Sequence, residues 1–461
     1  MSSALRRSID AIVVASAIGL LAVQFHVAAQ GPLAKDPGPR GGTSNAGGPL
    51  PNLSGSDLEY FYAGKIEFSS EEVVSDGLGP RMNLDSCAGC HLQPSVGGSS
   101  PATNPQFTFA GKNGGTDSVP PFILQNGPVR ETRFVHNPDG SADGGVHAIF
   151  TIAGRSGTTG KCVLAQPDYA TQLANSNVIF RIPTPTFGGG LIEAIPDSAI
   201  IANLNNTSSS RSALGIAGRP NISVAGRTIT GQTNNNGNDG TISRFGWKAQ
   251  NKSLLVFAGE AYNVEMGISN EVFETERDET PSCQYKSVPN DTTNTGASTP
   301  SDVLSDVEKF AMFMRMLAAP TPVTPTPGSS LVSSIGNGSR LFNSVGCALC
   351  HTPTMRTGNA AIAALAYQPV NLYSDLLVHN MGSGLADGVS QGEAGPNEFR
   401  SAPLWGLGQR LFFLHDGRAS DLITAIRAHQ SQGSEANGVI NNFNGLSEGQ
   451  KQDLLNFLRS L

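Results

Sequence analysis

Two six-residue segments constrain this chain more than anything else in it: "SCAGCH", with Cys87, Cys90 and His91, and "GCALCH", with Cys347, Cys350 and His351. Thiols three positions apart can each add to one vinyl group of a haem, and the His that follows then reaches the iron as proximal ligand. C-x-x-C pairs also serve as zinc knuckles. Here both pairs carry the immediately following His and lie far apart in the chain, which favours two covalent c-type haems. Upstream of the second motif, "NGSRLFNSVGCALCH" places Leu341, Phe342 and Val345 on one helical face that would cover a haem edge.

The start of the chain fits this chemistry. Arg6 and Arg7 precede an apolar run from Ala11 to Val23, and Val27, Ala28 and Ala29 follow, which is the order of a secretory signal cleaved after Ala29. The run is too short to span a bilayer comfortably, so an exported, periplasmic protein without stable membrane insertion is expected. Without those residues 28 basic and 36 acidic side chains remain, a formal charge of −8. That balance gives no reason to expect a nucleic-acid partner. Cys162 and Cys283 have no neighbouring His, and in an oxidising compartment a disulfide is the favoured reading.

With 54 Gly, 29 Pro and only 15% charged residues, the chain reads as loop-rich rather than as a bundle or coiled coil. Residues 30–52 lack any apolar period and are expected to be a flexible linker behind the signal peptide of residues 1–29. From Leu53 to residue 300, short apolar runs such as "VHAIFTIAG" alternate with Gly, Asn and Thr clusters, the pattern of a haem domain carrying a long insertion. "SDVLSDVEKFAMFMRMLAAP" predicts a helix capped at Ser301, with its methionines as core filling, and "PTPVTPTPG" a stiff linker, together a connecting segment over 301–328. A C-terminal haem domain follows over 329–461. It closes on a docking helix announced by the capping-box pair Ser447 and Gln450 and by Leu454, Leu455, Leu458 and Leu461.

Two CxxCH motifs followed by "EFRSAPLWGLGQRLFFLHDGRASDLITAI" resemble the bacterial di-haem cytochrome c peroxidase superfamily, and within it the di-haem oxidoreductase branch. "PPFILQNGPVRETRF", "IFRIPTPTFGGGLIE" and "GEAYNVEMGISNEVF" extend the likeness over nearly all of the chain after the signal. The resemblance implies a mainly α fold of two cytochrome c-like domains and a peroxidase-like oxidoreductase. In it, electrons from a small redox-protein donor would enter the C-terminal haem and reach a peroxide-binding N-terminal haem. It further implies that Trp247 relays electrons between the haems and that Glu265 assists peroxide cleavage. An indole there is equally a core aromatic, and a Glu equally an ion-paired carboxylate.

In such relatives the sixth ligand of the second haem lies fourteen residues after the His of "HDG"; counting from His415 reaches His429, with Met381 and His379 as rivals. His415 itself would be a hydrogen-bonding neighbour of the second haem. Near the first haem no His occurs between Leu92 and Val135, and His136 and His147 read as hydrogen-bonded loop residues, with a ligand role for either as the alternative. An open or weakly ligated first iron, able to bind peroxide or dioxygen, is the consequence. The relatives' calcium site uses a Thr and a Pro where this chain has "RLFFLHDG", which puts calcium in doubt. Two other readings share these features: an oxygenase or oxidase acting on an organic or protein substrate, and a non-enzymatic electron-transfer cytochrome.

Overall fold

The structure, a computed structural model, describes residues 33–41, 45–222, 228–229, 232–233, 241–278 and 280–461. The expected signal peptide lies outside the described residues. Among the described residues, fifteen α-helices, mostly short, and six two-stranded antiparallel sheets are linked by long loops. The helices supply the frame, as a mainly α reading expects.

The first core forms where the helices Ser56–Ser69, Leu254–Met266 and Asp306–Met316 pack together. Their contact is aromatic, with ring centroids of Phe68 and Phe313 4.9 Å apart and those of Tyr262 and Phe310 5.0 Å apart. Gly64 makes the approach possible, because a Cβ there would collide with the carbonyl of Lys309. The Asp306–Met316 helix begins later than the sequence pattern predicts. Ser305 forms a capping box with Glu308, while Ser301 lies in a separate short helix, Pro300–Val303, capped by Thr299. Leu304 is extended between the two and ends the first. Met314 and Met316 are buried, as core methionines should be.

The second core is built on the helices Ser330–Ser344 and Glu448–Ser460. The capping box of Ser447 and Gln450 starts the latter, and Leu454, Leu455, Leu458 and Leu461 are all buried. Phe342 meets Phe457 at 5.4 Å, and Gly338 sits where a Cβ would strike the carbonyl of Asp453.

Two sets of contacts cross the expected boundaries. Met355, Val370, Leu372, Leu376, Leu377 and Trp405 lie beyond the Pro-rich linker yet pack into the first core, so the two halves interlock rather than meet at residues 301–328. Buried ion pairs seal this seam, Arg211 with Asp375 and Arg181 with Asp387, each at 2.6 Å. The segment 30–52, expected as a flexible linker, is pinned over its described part to the C-terminal half. Asp36 pairs with Arg459 at 2.7 Å and accepts from the Leu422 amide, and the Arg40 amide donates to Gly408. A charged pair nearly out of solvent holds what composition alone assigned to a tether. Cys162 and Cys283 form the expected disulfide, closing a separation of 121 residues.

Gly338→Ala should lower stability by about 1–3 kcal/mol, the usual cost of overpacking a close helix contact. Denaturant unfolding checks this, and an unchanged midpoint would mean that the two helices separate freely.

Candidate functional site: two cavities sharing one indole

The second cavity opens beneath the Ser330–Ser344 helix and takes Cys347, Cys350 and His351 on its wall. Most of the remaining lining is apolar, including Phe342, Leu407, Phe413 and Leu458. Of the three residues expected to cover a haem edge, only Phe342 lines the cavity; Val345 is buried elsewhere and Leu341 is half-buried. His351 Nδ1 lies 3.1 Å from the carbonyl oxygens of Tyr373 and Ala402. A carbonyl only accepts, so Nδ1 carries the proton and Nε2 keeps its lone pair. Burial pushes the ring down to about 4, which keeps it neutral.

His429 faces the same cavity from the end of the helix Leu422–Ala428, which the Asp421 side chain caps. Its Nδ1 donates to the Ala425 carbonyl at 2.8 Å, so its Nε2 is also a lone-pair nitrogen, and burial lowers its pKa too. His379 is different. Its Nε2 lies 3.0 Å from Asp375 and its Nδ1 2.9 Å from Glu435, so both nitrogens are engaged by carboxylates. No lone pair is left for a metal. Met381 lines the cavity but packs with Ile182, Trp247, Phe399 and Phe412 at its edge.

The first cavity carries Cys87, Cys90 and His91. Ser86 caps the one-turn helix Cys87–Cys90, and the His91 amide closes it on the Cys87 carbonyl. His91 repeats the pattern of His351: Nδ1 donates to the Gly98 carbonyl at 3.0 Å, and burial holds the ring at about 4. No other His lines this cavity among the described residues. His136 is exposed, and His147 stacks on Phe134 and bonds Asp143 outside it.

What faces the first cavity instead is charge. Glu265, near the end of the Leu254–Met266 helix, is half-buried and accepts from Asn83 Nδ2 at 2.6 Å. Burial raises its pKa well above the ordinary carboxylate range, and the charge of neighbouring Glu131 raises it further. Glu131 moves the other way despite its burial, because Arg133 and Arg181 favour its charged form. The two directions favour the proton on Glu265 and the charge on Glu131. Glu260, also on the wall, is pushed by burial up to about 7. Sequence reasoning missed Glu131, Arg133 and Arg181. "PVRETRF" holds two of them, but a run of alternating charges reads as a solvated strand until its partner is known.

Trp247 lines both cavities and is the one described residue that does so. Its Nε1 donates to the Ile182 carbonyl at 2.8 Å. His415, at the HDG motif, stacks on Phe399 at 4.2 Å, stands edge-on to the indole at 6.5 Å and lines the second cavity. It is a neighbour of that cavity through ring contacts.

The donor sets fit haem better than zinc. Zinc needs about four ligands around one point. Among the described residues only Glu67, Glu72 and Asp306 converge closely enough to hold one ion, and neither CxxCH motif belongs to that group. The four motif cysteines are free, and each pair shares a cavity wall with a neutral His. Counting their mouths, the cavities enclose about 1120 and 1380 Å³, somewhat above the roughly 300–1,000 Å³ usual for ligand clefts.

A family model described as "Di-haem oxidoreductase, putative peroxidase" matches residues 134–461, and the chain belongs to that family. Membership makes it a haem-binding oxidoreductase. The match takes in Trp247, Glu265, His351 and His429; the first CxxCH motif precedes it. No curated protein matches the sequence. A solved structure of hydrazine synthase from Kuenenia stuttgartiensis, pressurised with xenon, aligns at 18% identity with a TM-score of 0.23. The alignment covers 35% of this chain and 56% of that one.

His429→Ala should convert the second haem to a high-spin spectrum and leave the first unchanged, while His379→Ala should leave both spin states as they were. Absorption and electron paramagnetic resonance spectra separate these outcomes; a low-spin second haem in His429→Ala would give the ligand role to Met381.

Proposed function

We propose that this chain is an exported c-type di-haem peroxidase that accepts electrons at the second cavity and reduces peroxide at the first. The observation that carries this reading is the indole of Trp247 bordering both cavities. Cys87 and Cys90, and likewise Cys347 and Cys350, would form thioether bonds to the two haems. His91 would hold the first iron, and His351 with His429 the second. Each haem supplies the redox chemistry when bound, and the protein supplies position and electrostatics.

Reduction of peroxide to two waters takes two electrons and two protons. Trp247 relays electrons from the second cavity to the first. Glu265, held protonated by burial and by Glu131, gives its proton to the departing oxygen. Glu131, kept ionised by Arg133 and Arg181, accepts the proton released when peroxide enters and returns it to the remaining oxygen, while solvent supplies the second proton of that water and reprotonates Glu265. Asn83 fixes the direction in which the Glu265 carboxyl points, through its 2.6 Å bond. The absence of a second His on the described wall of the first cavity supports an iron with one position open to substrate.

Export is supported by the Cys162–Cys283 disulfide, which suits an oxidising compartment. No helix among the described residues is long and apolar enough to cross a membrane. The donor is proposed to be a small redox protein docking near the second cavity.

With a reduced small cytochrome as donor, peroxide consumption should fall roughly 10²–10⁴-fold in Glu265→Gln. Trp247→Phe should slow electron transfer between the haems in stopped-flow absorption while leaving peroxide binding to the oxidised protein intact. Consumption of dioxygen with cleavage of an organic substrate, and none of peroxide, would contradict the proposal.

A further inference from the structure

A smaller chamber lies between the two cavities, with Trp247 on its wall. It shares Thr184, Thr186 and Gly246 with the first cavity and Arg400, Ala402 and Arg410 with the second. Arg400 is 8% exposed and Arg410 9%. Charged side chains are rarely buried so far unless they are paired.

Other buried arginines of this protein obey that rule. Arg181 has Asp387, Arg211 has Asp375, Arg244 has Asp197 and Arg459 has Asp36. No carboxylate forms an ion pair with Arg400 or Arg410 among the described residues. Arg400 Nε donates to the Gly246 carbonyl at 3.0 Å, and its Nη1 makes a long 3.4 Å contact with the Ser401 carbonyl. Asp375, the carboxylate that Arg400 feels, is already bonded to Arg211, His379 and Ser401. Burial pushes both guanidinium groups down to about 10, and the charge of Arg410 adds to the effect on Arg400. Two neighbouring buried cations thus face a chamber with no anion of the protein's own to balance them.

We propose that Arg400 and Arg410 bind the propionate carboxylates of the haem in the second cavity, and that their charge raises that haem's reduction potential. The inference rests on the di-haem reading above. The planar guanidinium fork matches a carboxylate in two parallel hydrogen bonds, and haem carries two carboxylates on one edge. Because reduction removes one positive charge from the iron, fixed cations nearby favour the reduced form. The position beside Trp247 then has a consequence. The same pair that anchors the cofactor tunes the donor side of the indole relay.

The test uses the full-length holoprotein with Gln and Lys at each position, after haem content per chain and circular dichroism have been compared with wild type. Redox titration followed by absorbance should show the second haem's midpoint shifted to lower potential in Arg400→Gln and Arg410→Gln. The Lys variants, which keep the charge and lose the fork, should shift less in the same direction, and they carry the test if a Gln variant does not fold. Two haems per chain with a midpoint unmoved in every variant that folds would overturn this assignment while leaving the di-haem reading in place. Fewer than two haems in the wild type would overturn both.

Discussion

The arrangement depends on one anchored indole. Trp247 Nε1 donates to the Ile182 carbonyl, the Ile182 amide donates to the His415 carbonyl, and the Trp247 carbonyl accepts from the Arg400 amide at 2.8 Å. Three stretches distant in sequence are tied at this point: the end of the Val178–Arg181 strand, the turn at Gly246, and the segment from Arg400 to the HDG motif. Each stretch gives residues to at least one cavity wall. Losing the indole would therefore remove a wall common to both cavities as well as whatever passes between them.

Around that shared wall the two cavities differ in the chemistry they offer. In the second, two neutral imidazoles present lone-pair nitrogens, each fixed by an Nδ1 bond to a backbone carbonyl, and the rest of the lining is largely apolar. In the first, one such imidazole shares the cavity with a carboxyl whose pKa is raised, a carboxylate whose pKa is lowered, and arginines. A site with two nitrogen ligands suits electron transfer; a site with one ligand and a proton source suits activation of a bound oxidant. The buried chain from Arg181 through Asp387 to Lys248, whose ammonium lies 4.0 Å over the Phe399 ring, connects the two environments beside the indole.

Much of this was legible in the sequence because the chemistry is local. A CxxCH motif places its three functional residues within five positions, and the Ser447 cap sits three residues from its partner. Trp247, Glu265 and His429 were reached by resemblance, and the structure puts each on a cavity wall. Features set by long-range contact were not legible. Glu131 and Arg133 become cavity residues only because their strand pairs with Val178–Arg181 and turns inward. The docking of Asp36 on Arg459 joins residues 423 apart, which no window of sequence reveals. Rejecting His379 as a ligand likewise required seeing two carboxylates close on its ring.

The difference between the cavities is most directly measured by electron paramagnetic resonance of the fully oxidised protein as isolated. One low-spin bis-imidazole haem together with one high-spin haem is the predicted spectrum, with added peroxide perturbing the high-spin component alone. Two low-spin haems, unresponsive to peroxide, would contradict the division of labour between the cavities and leave the chain an electron carrier.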